Sequence, residues 1–392
     1  MPVIFSRTTN NRIAFPSVFL AAWLSVILSV ASASAGEFEV LRDQSGNPAN
    51  VRNSPFLRMV IGDFNSLSCS HTWVSNDGYL LTALHCIEGC ITGAMEFDGS
   101  RYNRFAYKKI EVPNTKYYSH PFVAFEVNES RLKDVRCLLN EGAPGKKPLE
   151  ARIVALGAKG WIPDYLRGDF KKKYPEIYHE YRQKGYVGIG DHGDFALLKV
   201  EPAPPSALDT SATPNAFEYF SHPPQCLAID GTIDTQTIGT GAQVWSLSFP
   251  NLSTRVNRSE FVYQPVATGG RVYTKNDHPH YSPEALSEID EHFLYSSTDS
   301  EVGASGSALI NSQGKIAGIL AMSITDRTQY TRGASLFLPS SHILKRLRDV
   351  LGNDFVETKL LNGCSVSPST DNLLNLLRSV STNSRLSGEI SS

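Results

Sequence analysis

Short apolar runs, many of them closed within a residue or two by glycine, asparagine or proline, recur along most of this chain. Phe56–Ile61, Ser70–Ser75, Tyr79–Leu84, Ala94–Phe97 and Ile153–Leu156 fill the first half, and Asp77-Gly78 lies between two such runs. An Asp-Gly flanked by apolar segments is hairpin chemistry, because both residues tolerate the positive φ of a tight turn. The second half continues with Gln225–Ile229, Thr240–Leu247, Glu260–Tyr263, Ala308–Ile310 and Lys315–Ser323. Between the halves lies a proline- and serine-rich stretch, Pro202 to Pro224. Many short strands with regular turn signals, divided once by a proline linker, predict an all-β chain built as two antiparallel barrels.

Composition leaves room for that arrangement. The chain has 392 residues, 41% hydrophobic and 19% charged, with a formal net charge of -2. That is globular composition with enough length for two cores. No basic stripe suits a nucleic-acid backbone, so nucleic acid is not an expected partner. At the N-terminus, Arg7 and Arg12 precede an apolar run from Val18 to Ala31, and Ala33-Ser34-Ala35 follows. This reads as a signal peptide over residues 1–35 with cleavage before Gly36, because the run is broken by serines and short for a spanning helix. The mature protein is therefore expected to be secreted or periplasmic, with no membrane span. Residues 36–54 read as a polar lead-in, 55–200 and 225–352 as the two barrels, and 201–224 as the linker.

The chemistry centres on Asp299-Ser300-Glu301-Val302-Gly303-Ala304-Ser305-Gly306-Ser307. A serine hydroxyl is a poor nucleophile unless a base takes its proton and amides stabilise the oxyanion that forms. Glycine at 303 lets the backbone turn so that the amides of Gly303 and Ser305 serve as an oxyanion hole, and Gly306 leaves room for a substrate carbonyl. Upstream, Thr82-Ala83-Leu84-His85-Cys86 ends an apolar strand in a histidine, the candidate general base. Gly193-Asp194-Phe195-Ala196-Leu197-Leu198 places an acid at the mouth of a buried strand. Such an acid fixes the tautomer of the histidine. Asp191 competes with Asp194 for this role, but it sits in Gly190-Asp191-His192-Gly193, which reads as a turn.

The order His85, Asp194, Ser305, with these flanking residues, resembles the chymotrypsin-fold serine peptidases, especially their bacterial trypsin-like and V8-like branches. The resemblance covers roughly residues 55–351. It implies two six-stranded antiparallel barrels with the site in the cleft between them, a closing C-terminal helix over Ser340–Gly352, a protein or peptide substrate and no cofactor. It also implies a Cys69–Cys86 disulfide behind His85. Cys90, Cys137, Cys226 and Cys364 then allow three pairings, of which Cys90–Cys137 with Cys226–Cys364 is the expected one. Asp299, six residues before Ser305, matches the position whose carboxylate binds Arg or Lys side chains in trypsin-like members; Ser323 and Gly333 would line the same pocket. The same Asp-Ser is also a structural turn in bacterial members.

Departures from the family pattern accompany these matches. Ala304 stands where animal members carry the aspartate that pairs with a new N-terminus on activation, and Glu301 replaces a pocket cysteine. Thr82 and Ser307 read as structural. The segment between His85 and Asp194 is longer than the family needs, and 143–192, with its aromatic and charged Asp169–Arg182, reads as a partly helical insertion. No Cys-x-x-Cys or clustered Cys/His spacing indicates a metal, and Asp277-His278-Pro279-His280 offers no third ligand. Residues 353–392 read as a mostly flexible tail. The rival reading is a catalytically silent homologue that binds proteins through the same cleft.

Overall fold

The computed structural model describes residues 39–40, 62–64, 67–92, 107–116, 119–121, 123–133, 135–139, 149–162, 170–187, 191–200, 226–248, 266–276, 292–298, 300, 303–326, 331–364 and 377. The chain divides into two units, Met1–Glu37 and Phe38–Ser392, and every described residue lies in the second. The expected signal peptide and the 201–224 linker lie outside the described residues.

The first half contributes β1 (Glu39–Val40), β2 (Gly62–Phe64), β3 (Leu67–Cys69), β4 (Thr72–Trp73) and β5 (Tyr79–Thr82), then a 3₁₀ turn Leu84–Ile87 and helix α1 (Glu88–Thr92). It continues with β6 (Tyr107–Glu111), β7 (Val123–Val127), α2 (Glu129–Leu132), β8 (Arg136–Leu139), β9 (Leu149–Leu156) and β10 (Gly160–Trp161). Helix α3 (Pro175–Gln183), β11 (Tyr186–Val187) and β12 (Ala196–Val200) complete it. The second half holds β13 (Gln243–Ser248), β14 (Val266–Tyr273), β15 (Leu294–Ser296), β16 (Ala308–Ile310), β17 (Ile316–Asp326) and β18 (Thr331–Pro339). Helices α4 (Ser340–Leu351) and α5 (Asn353–Phe355) and a wider helical turn, Val356–Leu361, follow.

In the second half β14-β13-β16-β17-β18-β15 form a run that closes through a β14–β15 pairing, with β1 added on β14. This is a six-stranded antiparallel barrel, as the alternation in that half predicts, and closure leaves no exposed strand edge. Its interior includes Val244, Leu309, Ala317 and Phe337, all fully buried.

In the first half the described residues do not trace the expected second barrel as one closed ladder. Its described strands form a five-stranded sheet β4-β5-β12-β9-β8, a four-stranded sheet β11-β10-β7-β6 and the β2–β3 hairpin. The extra segment builds a core of its own. Phe170, Tyr178, Tyr181 and Tyr186 pack on Val112, Ala124 and Ile162, which draws β6, β7, β10 and β11 into a separate layer. The added unit therefore uses β6 and β7 as well as the expected 143–192.

One apolar cluster joins both halves. Tyr79, Leu81, Phe195 and Leu197 of the first half pack with Trp245, Leu247, Ile319 and Leu336 of the second. Helix α4 adds Ile343, Leu344 and Leu347, which share one face at helical spacing. Each such side chain contributes about 1.5–3 kcal/mol when fully buried. Beyond Gly352, where a flexible tail is expected, the chain stays helical to Leu361, with Val356 and Leu360 fully buried in the same cluster. Among the described residues no helix is long and apolar enough to cross a membrane.

Candidate active site

The β5–β12 register explains how two residues far apart in sequence meet. Thr82 pairs with Ala196 in an antiparallel ladder, so the chain leaving β5 and the chain entering β12 emerge side by side at the same end. His85 follows Thr82 and Asp194 precedes Ala196, and the two touch twice. The Asp194 carboxylate accepts from the His85 backbone N–H through Oδ1 at 3.0 Å and approaches imidazole Nδ1 through Oδ2 at 2.9 Å. The His85 side chain is 14% exposed and that of Asp194 2% exposed. A buried carboxylate bound in this bidentate way holds the ring in one orientation and places the Nδ1 proton toward the acid. Asp191, the competing acid, lies in the preceding turn, where Tyr178 Oη donates to its Oδ2 at 3.3 Å and the Asp194 N–H donates to its carbonyl.

The 3₁₀ turn carrying His85 is fixed from two further sides. A Cys69–Cys86 disulfide closes behind it. Trp161 Nε1 donates to Glu88 Oε1 at 2.7 Å, tying the start of α1 to β10. The Cys69 and Cys86 sulfurs lie beside the His85 ring, a set able to hold a metal only if the disulfide were reduced. The structure also bridges Cys226 with Cys364. The expected Cys90–Cys137 bridge is absent: both are buried free thiols. Burial and a hydrogen bond with Cys90 raise the Cys137 thiol well above its ordinary range, so Cys137 stays protonated and inert.

Ser305 enters from the other half, on the turn before β16. Gly303 and Gly306 flank it at φ +97° and +84°, conformations that glycine takes without penalty. At Gly306 a side chain is also sterically excluded, since a Cβ would sit 2.0 Å from the Ser70 carbonyl and 2.5 Å from Thr82 Oγ1. The turn is held on the barrel by Gly306 N–H to Leu320 O (2.8 Å) and Leu320 N–H to Ser307 O (2.8 Å). Ser70 clamps it to the first half: its N–H donates to Ser305 O at 2.7 Å and its Oγ to Gly303 O at 2.9 Å. Thr82 Oγ1 in turn donates to the Ser70 carbonyl at 2.9 Å. Sequence reasoning missed Ser70, which lies in a strand-like run and carries no motif signal beyond following Cys69. Cys86 Sγ also approaches Ser305 O at 3.7 Å. These contacts bring the Ser305 backbone up to the end of β5 from which the His85 turn emerges.

The expected pocket residues are only partly placed. Ser323 lies on β17 and Gly333 on the adjacent β18, with Ser323 paired to Ser335. Asp299 lies outside the described residues. Its neighbour Ser300 is buried and bonds Ser335 Oγ at 2.8 Å, which anchors the approach to the Ser305 turn on β18.

The chain shows some similarity to the solved MamO protease domain from Magnetospirillum magneticum in its apo form, at 16% identity and TM-score 0.34, covering 75% of this chain and 98% of that one. It is also similar to the Rv3671c protease from M. tuberculosis H37Rv in an inactive form, at 15% identity and TM-score 0.33, covering 78% and 96%. A third is the HtrA-type protease AlgW with a decapeptide, at 13% identity and TM-score 0.34, covering 73% and 53%. No curated protein sequence matches. A family model does match, from Cys69 at the disulfide to Ile319 in β17, and on that match, over residues 69–319, the chain belongs to the trypsin-like peptidase domain family.

Proposed function

We propose that the chain is an exported serine endopeptidase that works through an acyl-enzyme, with His85 as general base, Asp194 as its orienting acid and Ser305 as nucleophile. The observation that carries this reading is the double contact between the buried Asp194 carboxylate and His85. It assigns the role of base to the ring's other nitrogen, Nε2. Ser305 Oγ attacks the scissile carbonyl and passes its proton to Nε2. The same proton then goes to the leaving amine, and water repeats the sequence to release the acid. Ala304 O accepts the Ser307 N–H at 3.0 Å. A trans peptide points its N–H opposite its carbonyl, so the Ser305 amide faces away from that turn, as an oxyanion donor must. Gly303 supplies the second amide in this reading. No cofactor is needed. We assign Asp299, Ser323 and Gly333 to the recognition of Arg or Lys side chains, and two disulfides suit an oxidising compartment outside the cytoplasm.

The test is labelling of the mature, oxidised protein with a fluorophosphonate probe. Wild type should label, Ser305→Ala and His85→Ala should not, and Asp194→Asn should slow labelling by about 10⁴. A peptide library on the active protein then compares wild type with Asp299→Ser, which should lose the basic preference. A folded wild type that fails to label would favour a silent binding homologue, and an unchanged preference in Asp299→Ser would remove the pocket assignment alone.

A further inference from the structure

Three of the chain's ten histidines meet in one cluster. They come from three separate elements: His192 from the turn that leads to Asp194, His292 from the turn before β15, and His342 from the first turn of α4. The ring centroids form a nearly equilateral triangle, with His192–His292 at 6.0 Å, His192–His342 at 5.8 Å and His292–His342 at 6.3 Å. His292 is exposed and the other two are half-buried, so solutes reach the cluster.

We propose that His192, His292 and His342 form a binding site for a divalent transition metal of zinc type, which ties the Asp194 turn to the barrel and the C-terminal helix. The spacing is what three imidazole ligands need. A zinc–nitrogen bond of about 2.0–2.1 Å puts each ring centroid about 3.2 Å from the ion, and three such rings in tetrahedral directions lie about 5.2 Å apart. The observed triangle is wider by about 0.6–1.1 Å per side, within the reach of side-chain rotations. Those rotations are required, because as the rings now stand their nitrogens do not converge to within 4.8 Å of one another. Neutral imidazole is a ligand for zinc, copper and nickel, and water completes the coordination at an exposed site.

One neighbour opposes the ion and makes the proposal specific. Arg182 Nη2 donates to His192 Nδ1 at 3.0 Å, which leaves the ring proton on Nε2. To bind metal through Nε2, His192 shifts that proton to Nδ1, and Arg182, a donor with no acceptor, must turn away. Asp191 Oδ1, already 4.0 Å from Arg182 Nε, can receive it. Arg182→Gln reverses the opposition. Its amide oxygen can accept from Nδ1–H, the outer-shell partner a ligating histidine usually has, and one positive charge leaves the site.

Calorimetric titration of the full oxidised protein with ZnCl₂, beside the visible absorption of Co²⁺, tests this independently of peptidase activity. We expect one equivalent bound with a tetrahedral cobalt spectrum. His192→Ala, His292→Ala and His342→Ala should each weaken zinc by at least about tenfold, and Arg182→Gln should tighten it by about 10–100-fold. His179→Ala, on the exposed face of α3, and His85→Ala should leave it unchanged. Zinc binding that survives loss of any one of the three, that is weakened by Arg182→Gln, or that follows His85 instead would overturn the proposal. Circular dichroism of each variant separates a lost ligand from a lost fold.

Discussion

His71 shows what one buried polar side chain does to the stability of this fold. It lies between β3 and β4, is 2% exposed, and its Nε2 has no hydrogen-bond partner among the described residues. Its ring meets Trp73 edge-on at 6.3 Å. Burial disfavours the charged form and lowers its pKa from 6.5 to about 3. Above pH 6.5 both folded and unfolded chains carry His71 neutral, so its full contribution to stability is present. As pH falls from 6.5 toward 3, the unfolded chain takes up a proton that the folded chain refuses, and stability drops by up to about 1.4 kcal/mol per pH unit. His71→Met keeps an apolar, adaptable side chain and removes the proton. Urea unfolding at pH 7 and pH 4.5 should show that the variant loses about 2–3 kcal/mol less than wild type over this interval. Equal losses would mean that His71 is hydrated in the folded state.

At the scale of elements, the added layer of the first half has a core of its own. Phe170, fully buried, stacks its edge toward Tyr178 at 6.2 Å, and Tyr181 meets Tyr186 at 5.1 Å. Phe170→Ala should cost this layer about 3–5 kcal/mol. Because the cluster shares no residue with the one that joins the halves, hydrogen exchange should quicken in β6, β7 and α3 while β13 to β18 keep their protection. Loss of protection throughout would show one cooperative core. The same elements explain what was legible in the sequence. The second barrel could be read because its strands alternate and end in glycine turns. Tyr107-Lys108-Lys109-Ile110-Glu111 could not, because a charged run becomes a strand only through its partner Val123–Val127. His85, Asp194 and Ser305 stood out because each sits in a local motif. Ser70 joins the same site through tertiary contacts alone. The histidine triangle escaped notice because no short spacing links residues 192, 292 and 342.

For the whole molecule, residues 353–364 act as a strap across both halves. Phe355 packs edge-on against Tyr79 at 5.3 Å, Gly363 O accepts the Asn76 N–H at 2.9 Å, and Cys364 is bridged to Cys226. The Leu227 N–H donates to Trp73 O at 3.0 Å, so the segment beside that disulfide also reaches the first half. An exposed Lys359–Asp77 pair adds little. The disulfide spans 138 residues, and closing so long a loop restricts the unfolded chain strongly. Replacing both Cys226 and Cys364 by serine should therefore cost about 2–5 kcal/mol. Because Val356 and Leu360 lie in the cluster shared by both halves, the loss should appear in both together. Trp73 on β4 and Trp245 on β13 supply a probe in each half outside the added layer, so versions keeping one or the other can be unfolded in urea with and without the bridge. Coincident curves, shifted by the same free energy, are the expected result. A shift confined to Trp245 would mean that the strap stabilises the barrel alone and that the two halves unfold separately.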